Sequence, residues 1–500
     1  MAYLAGIDLG TSGLKVVILD EQGRCIASCA QDYQFDSPVN GYAQQDVDVW
    51  WQACCHCLQG AIAQMGRPAG EIKGVSFSGQ MHGVVFLDAA LRSIRPAILH
   101  CDARSGEQVK WMKETLGETR IRNILMNPIY TGFMLPSLLW VRANEPQHYE
   151  AIRHVMLPKD YLKFKLTGEI ASDYSDASAT LAFDIQNMRW SDEVLACVDV
   201  EKAIFPVCYA TDQVMGSVTK AAAEQCGLAE GTKVVSGGGD QVMQAIGNGA
   251  TQPGQATVNI GTSGQVCFQS GQAIQNPALN TNTFCAYEKD RWIVMGATMS
   301  AGLSFKWLNS LFGKTDYAEL NASVAKVAPG SDGLIFLPYL MGERTPHLNP
   351  NISGLFMGLQ TNTQRPQLSR AVMEGVAYSL KQCLDLCNGM GLYADTYIAS
   401  GGGARSEPWL QLQADIYQVP LKVAKTEEQA GVGAAIAAGA GIGIYENIEQ
   451  GCREVVQYHD KIYEPNPENA GTYQAYYELY KETYKACRSV LQSVTELGRK

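Results

Sequence analysis

Two short loops of identical sequence are the segments best suited to hold phosphate. Residues 10–13 and 261–264 both read GTSG, and each loop joins two apolar runs that predict β-strands. Glycine lets a backbone approach a ligand closely, and the loop N–H groups and hydroxyls can donate to phosphate oxygens. The repeat indicates a duplicated nucleotide-binding half that grips a triphosphate from two sides. The candidate phosphate-binding residues are Thr11, Ser12, Gly261, Thr262 and Ser263.

Asp8 stands two residues before the first of these loops. A carboxylate at this point can hold Mg²⁺ through water beside the phosphates. The sequence lacks the patterns of two other kinds of phosphate-binding site, the Walker loop and the Rossmann loop. The Gly-Lys-Thr at 313–315 has Leu308 where a Walker loop needs glycine, and the glycine runs do not follow the Rossmann spacing of dinucleotide enzymes.

The elements that must position these loops alternate between strand and helix patterns. Residues 233–241 and 396–409 each read as strand, glycine turn and helix. This alternation predicts an α/β fold, with the two halves meeting near 242–256 and the ligand between them. We expect domains at 1–245 and 246–500.

A regular series of tyrosines near the C-terminus predicts an amphipathic helix. The tyrosines recur at intervals of one, three and four residues, which is the spacing of one helical face. Packing in the core is the expected role of this series. Its members are Tyr473, Tyr476, Tyr477, Tyr480 and Tyr484.

The charge of the chain narrows the classes of partner. Its 500 residues carry 39 lysines and arginines against 50 aspartates and glutamates, a net charge of −11 without a basic run. Attraction to nucleic acid is therefore not expected.

No apolar stretch is long enough for a helix that spans a membrane, and no basic leader precedes Asp8. We expect a cytoplasmic protein that binds no membrane, and a monomer and a homodimer both stay open.

Fifteen cysteines are scattered along the chain, an odd number that favours reduced thiols over a disulfide framework. Cys54, Cys55, His56 and Cys57 are adjacent, but no second ligand pair follows at the spacing of a zinc finger. We expect buried small side chains of a helix here.

Four further motifs occur in order along the chain: SGQMHG at 78–83, GGGD at 237–240, GERTPH at 342–347 and GGGARSEPWLQLQADI at 401–416. Together with the paired GTSG loops, they resemble the FGGY family of carbohydrate kinases over nearly the whole chain. The resemblance implies two ribonuclease-H-like domains of the actin and sugar-kinase superfamily, which close on ATP, Mg²⁺ and a small-molecule sugar.

The resemblance also implies roles for single residues. Asp240 matches the catalytic base that receives the proton of the attacking sugar hydroxyl, and Asp8 would serve the metal. Gly302 would leave room for the nucleotide, and Gly402 and Gly403 would lie under adenosine and its phosphates. The residues matched to sugar binding are Gln80, Met81, His82, Asp102, Arg104 and Asp240. Whether Glu343 and Arg344 contact ligand or brace the structure stays open at this stage.

Three departures from the family pattern lie on the sugar side. His100 replaces a usual tryptophan, and Gln241 follows the base where asparagine is more frequent. Segment 132–140 has Ser137 in place of a lysine, and it lacks the hydroxyl-bearing residue that the family usually has three positions earlier.

From the resemblance we expect ATP-dependent phosphorylation of a primary hydroxyl on a ketopentose, with D-xylulose as the first candidate. One alternative is a kinase that acts on another ketose or polyol, such as ribulose. The others are an actin-like ATPase module and a catalytically inactive sugar sensor. The presence of Asp8, Asp240 and both phosphate loops argues against the sensor.

Overall fold

A computed structural model describes residues 2–498. Its strands are β1 (Tyr3–Leu9), β2 (Gly13–Asp20), β3 (Cys25–Asp32), β4 (Gln44–Gln45), β5 (Ile72–Gly79), β6 (Val85–Leu87), β7 (Ala97–Ile98), β8 (His154–Met156), β9 (Ala171–Asp173), β10 (Phe183–Asp184), β11 (Arg189–Trp190), β12 (Val207–Tyr209), β13 (Val214–Ser217), β14 (Lys233–Val235), β15 (Gly238–Gly239), β16 (Ala256–Ile260), β17 (Gly264–Ser270), β18 (Asn282–Cys285), β19 (Trp292–Thr298), β20 (Ile335–Leu337), β21 (Leu355–Met357), β22 (Tyr397–Ser400) and β23 (Leu421–Val423).

The helices are α1 (Val47–Met65), α2 (Gly106–Arg120), α3 (Met134–Asn144), α4 (Pro146–Ala151), α5 (Pro158–Thr167), α6 (Tyr174–Ala177), α7 (Asp192–Cys197), α8 (Lys220–Cys226), α9 (Asp240–Gly247), α10 (Gly302–Leu311), α11 (Tyr317–Val324), α12 (Arg365–Gly389), α13 (Glu407–Tyr417), α14 (Gln429–Gly441), α15 (Ile448–Val455) and α16 (Pro467–Gly498).

The N-terminal half builds a mixed sheet with the strand order β13, β14, β5, β1, β2, β3. β1 is antiparallel to β2 and parallel to β5, and the short β15 pairs with the end of β5. α1 covers one face of this sheet, where Trp50 and Trp51 pack against the strands. The apolar run of β1 is buried because helices cover both faces of the sheet.

The C-terminal half repeats this arrangement in the order β18, β19, β17, β16, β22, β23. β16 is antiparallel to β17 and parallel to β22, as β1 is to β2 and β5. Each GTSG loop thus joins two antiparallel strands beside a parallel one, which confirms the predicted duplication. The predicted tyrosine helix is α16, and four of its five tyrosines are buried against the C-terminal core.

Helix α14 follows the C-terminal sheet in the chain yet packs on β1, β5 and α9. The backbones approach so closely that only glycine fits: a Cβ on Gly6 would lie 1.9 Å from the carbonyl oxygen of Gly431, and one on Gly433 would lie 2.0 Å from that of Met243. The two halves are therefore held together by direct helix and strand packing. The predicted boundary between residues 245 and 246 stays a prediction.

Cys54 and Cys57 lie in the core side of α1, whereas His56 is on its exposed face. Within residues 2–498 no group of three or more histidines, cysteines or acidic residues is arranged to hold a metal ion. The described helices also include none with the length and apolar character needed to cross a membrane.

Candidate active site

Two carboxylates meet at one end of the N-terminal sheet. Asp8 lies near the end of β1 and pairs in register with Ser78 on β5. On the other side of β5, the short β15 places Gly239 beside Gly79, and Asp240 follows as the first residue of α9. Because β1 and β15 both run parallel to β5, Asp8 and Asp240 emerge at the same edge of the sheet.

The charges of these two carboxylates affect each other. The Ser78 hydroxyl donates a 2.7 Å hydrogen bond to Oδ1 of Asp8, while burial raises the pKa of Asp8. Burial and the nearby charge of Asp8 raise the pKa of Asp240 to about 7. A carboxyl group with this pKa can accept and release a proton near neutral pH, which suits a general base.

The donor set at this edge fits Mg²⁺. Magnesium takes oxygen ligands, keeps several waters and is usually held by one or two carboxylates together with substrate phosphates. Asp8 and Asp240 supply carboxylate oxygens, and burial is the main cause of the raised pKa of each. Lys15, the nearest lysine on β2, forms a 3.0 Å ion pair with Glu428. A divalent cation held by Asp8 would favour the ionised form of this buried carboxylate.

The two hairpins are similar, although the second closes one residue earlier, and they differ in charge. Asp8 corresponds to Asn259, Lys15 to Gln265 and Ser78 to Ser400, each pair at the same register position. The Asn259 side chain donates from Nδ2 to Oε1 of Gln265 at 2.7 Å and accepts at Oδ1 from the Ser400 hydroxyl at 3.4 Å. The first hairpin therefore presents a carboxylate and an ammonium group, and the second presents only neutral amides.

A cavity of about 410 Å³ lies against the second hairpin. It is lined by the predicted residues Gly261, Thr262, Gly302, Gly402 and Gly403. A Cβ on Gly302 would lie 2.5 Å from the carbonyl oxygen of Gly261, so this position requires glycine. Aromatic side chains that the sequence did not single out complete the lining, namely Phe305, Tyr317 and Trp409.

The predicted phosphate-binding residues that do not line this cavity, Thr11, Ser12 and Ser263, lie at the tips of the two hairpins. In the first loop the Thr11 hydroxyl donates to Oε1 of Gln80 at 3.2 Å, and Nε2 of Gln80 donates to the Gly10 carbonyl at 3.4 Å. Ser12 is exposed, and Ser263 accepts from Gln265 at 3.1 Å. The structure thus places Gln80 as a brace of the first hairpin, and its predicted contact with sugar stays a prediction.

His82 is held in one orientation. Its Nδ1 lies 2.9 Å from the carbonyl oxygen of Ala179, and its ring lies against Phe133 with 3.9 Å between the centroids. Burial lowers the pKa of His82 to about 3, so the ring is neutral. Because a carbonyl oxygen only accepts, Nδ1 carries the proton and Nε2 is left as an acceptor for a hydroxyl. Met81 packs directly against Gly239, beside Asp240.

The acidic residue and the basic residue of the GERTPH motif differ in their burial. Glu343 is buried and accepts from the N–H groups of Met299 and Arg344 at 2.8 Å each, so it braces the loop. Arg344 is exposed. Burial, followed by the charge of Arg344, lowers the pKa of His100 to about 4, and the same charge acts on His82. A cation from the C-terminal half therefore faces histidines of the N-terminal half.

Asp102 and Arg104 are brought together but bind each other. Their side chains form a buried 2.8 Å ion pair, and the Arg104 guanidinium stacks over Tyr42 at 4.1 Å. Asp102 also accepts from the Ala43 N–H, and Arg104 donates to Gln44 at 3.1 Å. These partners satisfy much of the hydrogen-bonding capacity of both side chains. Their predicted contact with sugar hydroxyls stays a prediction.

Two family models match the two halves of the chain. The model of the FGGY family of carbohydrate kinases, N-terminal domain, matches residues 3–247, and that of the C-terminal domain matches residues 256–442. The chain belongs to the FGGY family of carbohydrate kinases. The predicted family and the predicted two-domain α/β fold class are thereby confirmed.

This FGGY kinase resembles full-length relatives. It is 37% identical over 486 residues to the xylulose kinase of Staphylococcus epidermidis, with 97% of each chain covered. It is 34% identical over 500 residues to the xylulose kinase of Lactococcus lactis, which covers 100% of this chain and 99% of that protein. The ligand-bound xylulose kinase structure from Lactobacillus acidophilus superposes with a TM-score of 0.93 at 25% identity, covering 99% of this chain and 100% of that one.

The three departures of this FGGY kinase from the family pattern do not share one environment. His100 is partly buried, and its Nδ1 has no hydrogen-bond partner within the described chain. Gln241 donates to Oδ1 of Asp240 at 3.4 Å, next to the predicted base. Ser137 is buried within α3, in the core of the N-terminal half. His100 and Gln241 are therefore the departures that face the candidate site.

Proposed function

We propose that this carbohydrate kinase transfers the γ-phosphoryl group of ATP to the primary hydroxyl of D-xylulose and forms D-xylulose 5-phosphate and ADP. The observation that carries this proposal is that Asp8 and Asp240 lie at the same end of the N-terminal sheet, close enough for the charge of Asp8 to raise the pKa of Asp240. Similarity over nearly the full length to proteins named xylulose kinase supports the choice of acceptor.

The reaction proceeds by in-line displacement. The carboxylate of Asp240 accepts the proton of the sugar hydroxyl while that oxygen forms a bond to the γ-phosphorus. The bond between the γ-phosphorus and its bridging oxygen breaks, and the electron pair leaves with ADP. Phosphoryl transfer of this kind asks the protein mainly for positioning and charge neutralisation. Mg²⁺ held by Asp8 and the phosphate oxygens would supply positive charge to the transferred group.

The sugar side orients the acceptor. Nε2 of His82 accepts from a sugar hydroxyl, because its other nitrogen is committed to Ala179. Arg344 reaches the same region from the C-terminal half, so closure of the two halves completes the site and excludes water. Exclusion of water matters because water competes with the sugar as a phosphoryl acceptor.

An ADP-release assay over ketoses, polyols and aldoses tests this function. We expect D-xylulose to give the highest kcat/KM, and ADP release without sugar to be slow. Asp240→Asn should lose most turnover, while Asp460→Asn, which changes an exposed carboxylate elsewhere, should not. Preference for ribulose, another ketose or a polyol would overturn the choice of D-xylulose as acceptor, and equal ADP release without sugar would favour an actin-like ATPase.

A further inference from the structure

Five charged side chains are completely buried behind the turn that carries Asp240. They lie on α5, at the end of β9 and in α6, and Lys159 packs against Gly79 at the end of β5. Such groups almost never occur in a protein core without a partner. The five residues are Lys159, Asp160, Lys163, Asp173 and Asp176.

The cluster is a connected set of ion pairs. Nζ of Lys159 lies 2.7 Å from Asp160, 2.5 Å from Asp173 and 2.9 Å from Asp176. Nζ of Lys163 lies 2.8 Å from the same oxygen of Asp160 that Lys159 contacts. The two lysines share the carboxylate of Asp160 within α5, and the contacts of Lys159 with Asp173 and Asp176 join α5 to β9 and α6.

The charges of the cluster are nearly balanced. Burial raises the pKa of Asp176 to about 8, so this residue keeps its proton near neutral pH. The cluster thus sets two lysines against three aspartates, one of which has a raised pKa. Buried ion pairs of this kind seldom stabilise a fold more than apolar residues of the same size would. A role in positioning explains the cluster better than stability does.

Two hydrogen bonds join the cluster to the turn at 236–239. Nζ of Lys163 donates to the carbonyl oxygen of Ser236 at 3.0 Å. At the other end of the turn, the Gly239 N–H donates to the Ser175 hydroxyl at 2.9 Å, and that hydroxyl donates to Asp173. Both ends of the turn are thus held by groups that are themselves held by the ion pairs.

We propose that the buried cluster positions the carboxylate of Asp240 through Ser175 and Lys163, which hold the two ends of the turn before it. This positioning role rests on the proposed function, in which Asp240 is the base. Asp240 directly follows Gly239, so a shift of that peptide moves the carboxylate relative to the sugar hydroxyl. Misplacement by about 1 Å can cost about 100-fold in rate. Neither Ser175 nor Lys163 needs to touch substrate.

Ser175→Ala is the test, and Ser172→Ala is its matched control. Ser172 is also fully buried on β9, but its hydroxyl has no hydrogen-bond partner within the described chain. We expect Ser175→Ala to lower kcat about 30-fold, within the range that such misplacement costs. The KM for sugar and the Kd for ADP should stay within about threefold, because neither ligand touches Ser175. Ser172→Ala should leave all three values near wild type.

Amide hydrogen exchange gives a readout that a general loss of stability would not. The peptide containing residues 236–240 should exchange faster in Ser175→Ala, and peptides of the C-terminal sheet should be unchanged. Ser175→Thr, which keeps the hydroxyl, should restore part of kcat. Lys163→Met removes the hydrogen bond at the other end of the turn and should give the same local exchange, so the test does not depend on one variant.

Equal kcat values and equal exchange at 236–240 in Ser175→Ala and Ser172→Ala would overturn the positioning role. A fall in kcat accompanied by faster exchange throughout the chain would also overturn it, since that result describes general destabilisation. Asp240→Asn in the same assay distinguishes failure of the proposed base from failure of the positioning role. If Asp240→Asn keeps near-normal turnover, the proposed base is wrong, whereas an inactive Asp240→Asn beside an unaffected Ser175→Ala would reject the positioning role alone.

Discussion

The carboxylates of Asp8 and Asp240 lie at the same end of the N-terminal sheet on opposite sides of β5, and burial with the charge of Asp8 raises the pKa of Asp240 to about 7. The two residues are 232 positions apart in the chain. Their proximity follows from two parallel pairings with one strand. In the proposed mechanism, Asp8 holds the metal ion and Asp240 accepts the proton of the sugar hydroxyl.

Asp8 and Asp240 should fail in different ways when each is changed to asparagine. Asp240→Asn removes the proton acceptor, and we expect a loss of about 10²- to 10⁴-fold in kcat with ADP binding retained. Asp8→Asn should raise the Mg²⁺ concentration needed for half-maximal rate about tenfold or more, because one carboxylate is lost from the metal site. ADP release measured against Mg²⁺ separates them, and an unchanged Mg²⁺ dependence in Asp8→Asn would contradict its role.

The neutral second hairpin should be needed for nucleotide affinity. Asn259→Asp would put a carboxylate at the position that matches Asp8, facing phosphates of the same sign. We expect the Kd of metal-free ADP to rise about tenfold, equivalent to about 1.4 kcal/mol, and the effect to shrink at high salt. Titration calorimetry measures this change. Asn259→Ala loses the same hydrogen bond to Gln265 without adding charge, so an equal loss in both variants would refute the electrostatic explanation.

Gly302 should be required for ATP rather than for folding alone. A Cβ at this first residue of α10 would lie 2.5 Å from the Gly261 carbonyl and displace the second hairpin. We expect Gly302→Ala to raise the KM for ATP at least about tenfold, equivalent to about 1.4 kcal/mol, while the KM for sugar changes little. Gly106→Ala is the control, because Gly106 also begins a helix but has open space around it. Equal KM values for ATP in both variants would argue against the steric role.

His100 should influence the choice of sugar. Burial and the charge of Arg344 lower the pKa of His100 to about 4, and its buried Nδ1 has no hydrogen-bond partner within the described chain. His100→Trp offers only an N–H donor and a larger ring. We expect the ratio of kcat/KM for D-xylulose to that for D-ribulose to change at least about tenfold, with the KM for ATP unchanged. A ratio within twofold of wild type would remove His100 from the specificity determinants.

Asp176 should make the fold less stable as the pH rises. Burial raises its pKa in the folded state to about 8, above the ordinary value of 3.8, so the folded state binds more protons between these values. The free energy of unfolding therefore falls with increasing pH in this window, by at most about 1.4 kcal/mol per pH unit for this group. Asp176→Asn removes this contribution. Urea unfolding between pH 6.5 and 8.5 should give a shallower slope in the variant, and an identical slope would show that Asp176 is ionised throughout.

The local parts of this molecule could be predicted from the sequence. Both GTSG hairpins, the glycine turn before Asp240 and the tyrosine face of α16 depend on residues close together in the chain. Strand alternation, glycine conformation and helical spacing are local properties, and the structure contains each of these elements as predicted. The resemblance carried by ordered motifs likewise indicated the family and the two-domain fold class.

The partners of the site residues could not be predicted in the same way. Gln80 braces the first hairpin, Asp102 binds Arg104, and Ser78 donates to Asp8, although the motifs alone gave no sign of these pairings. The ion cluster behind Asp240 was also missed, because its lysines and aspartates look like an ordinary helix surface. The sole sequence signal was the density of charge around residues 159–176.

By itself, then, the sequence determined which segments form strands and turns, because those choices depend on neighbours a few residues away. The tertiary structure alone decided which side chains meet. Asp8 reaches Ser78 through the register of β1 with β5, and Lys163 reaches Ser236 through the packing of α5 behind β5. Register and packing are properties of the whole buried core, since a shift of one residue would turn every side chain of a strand to the other face.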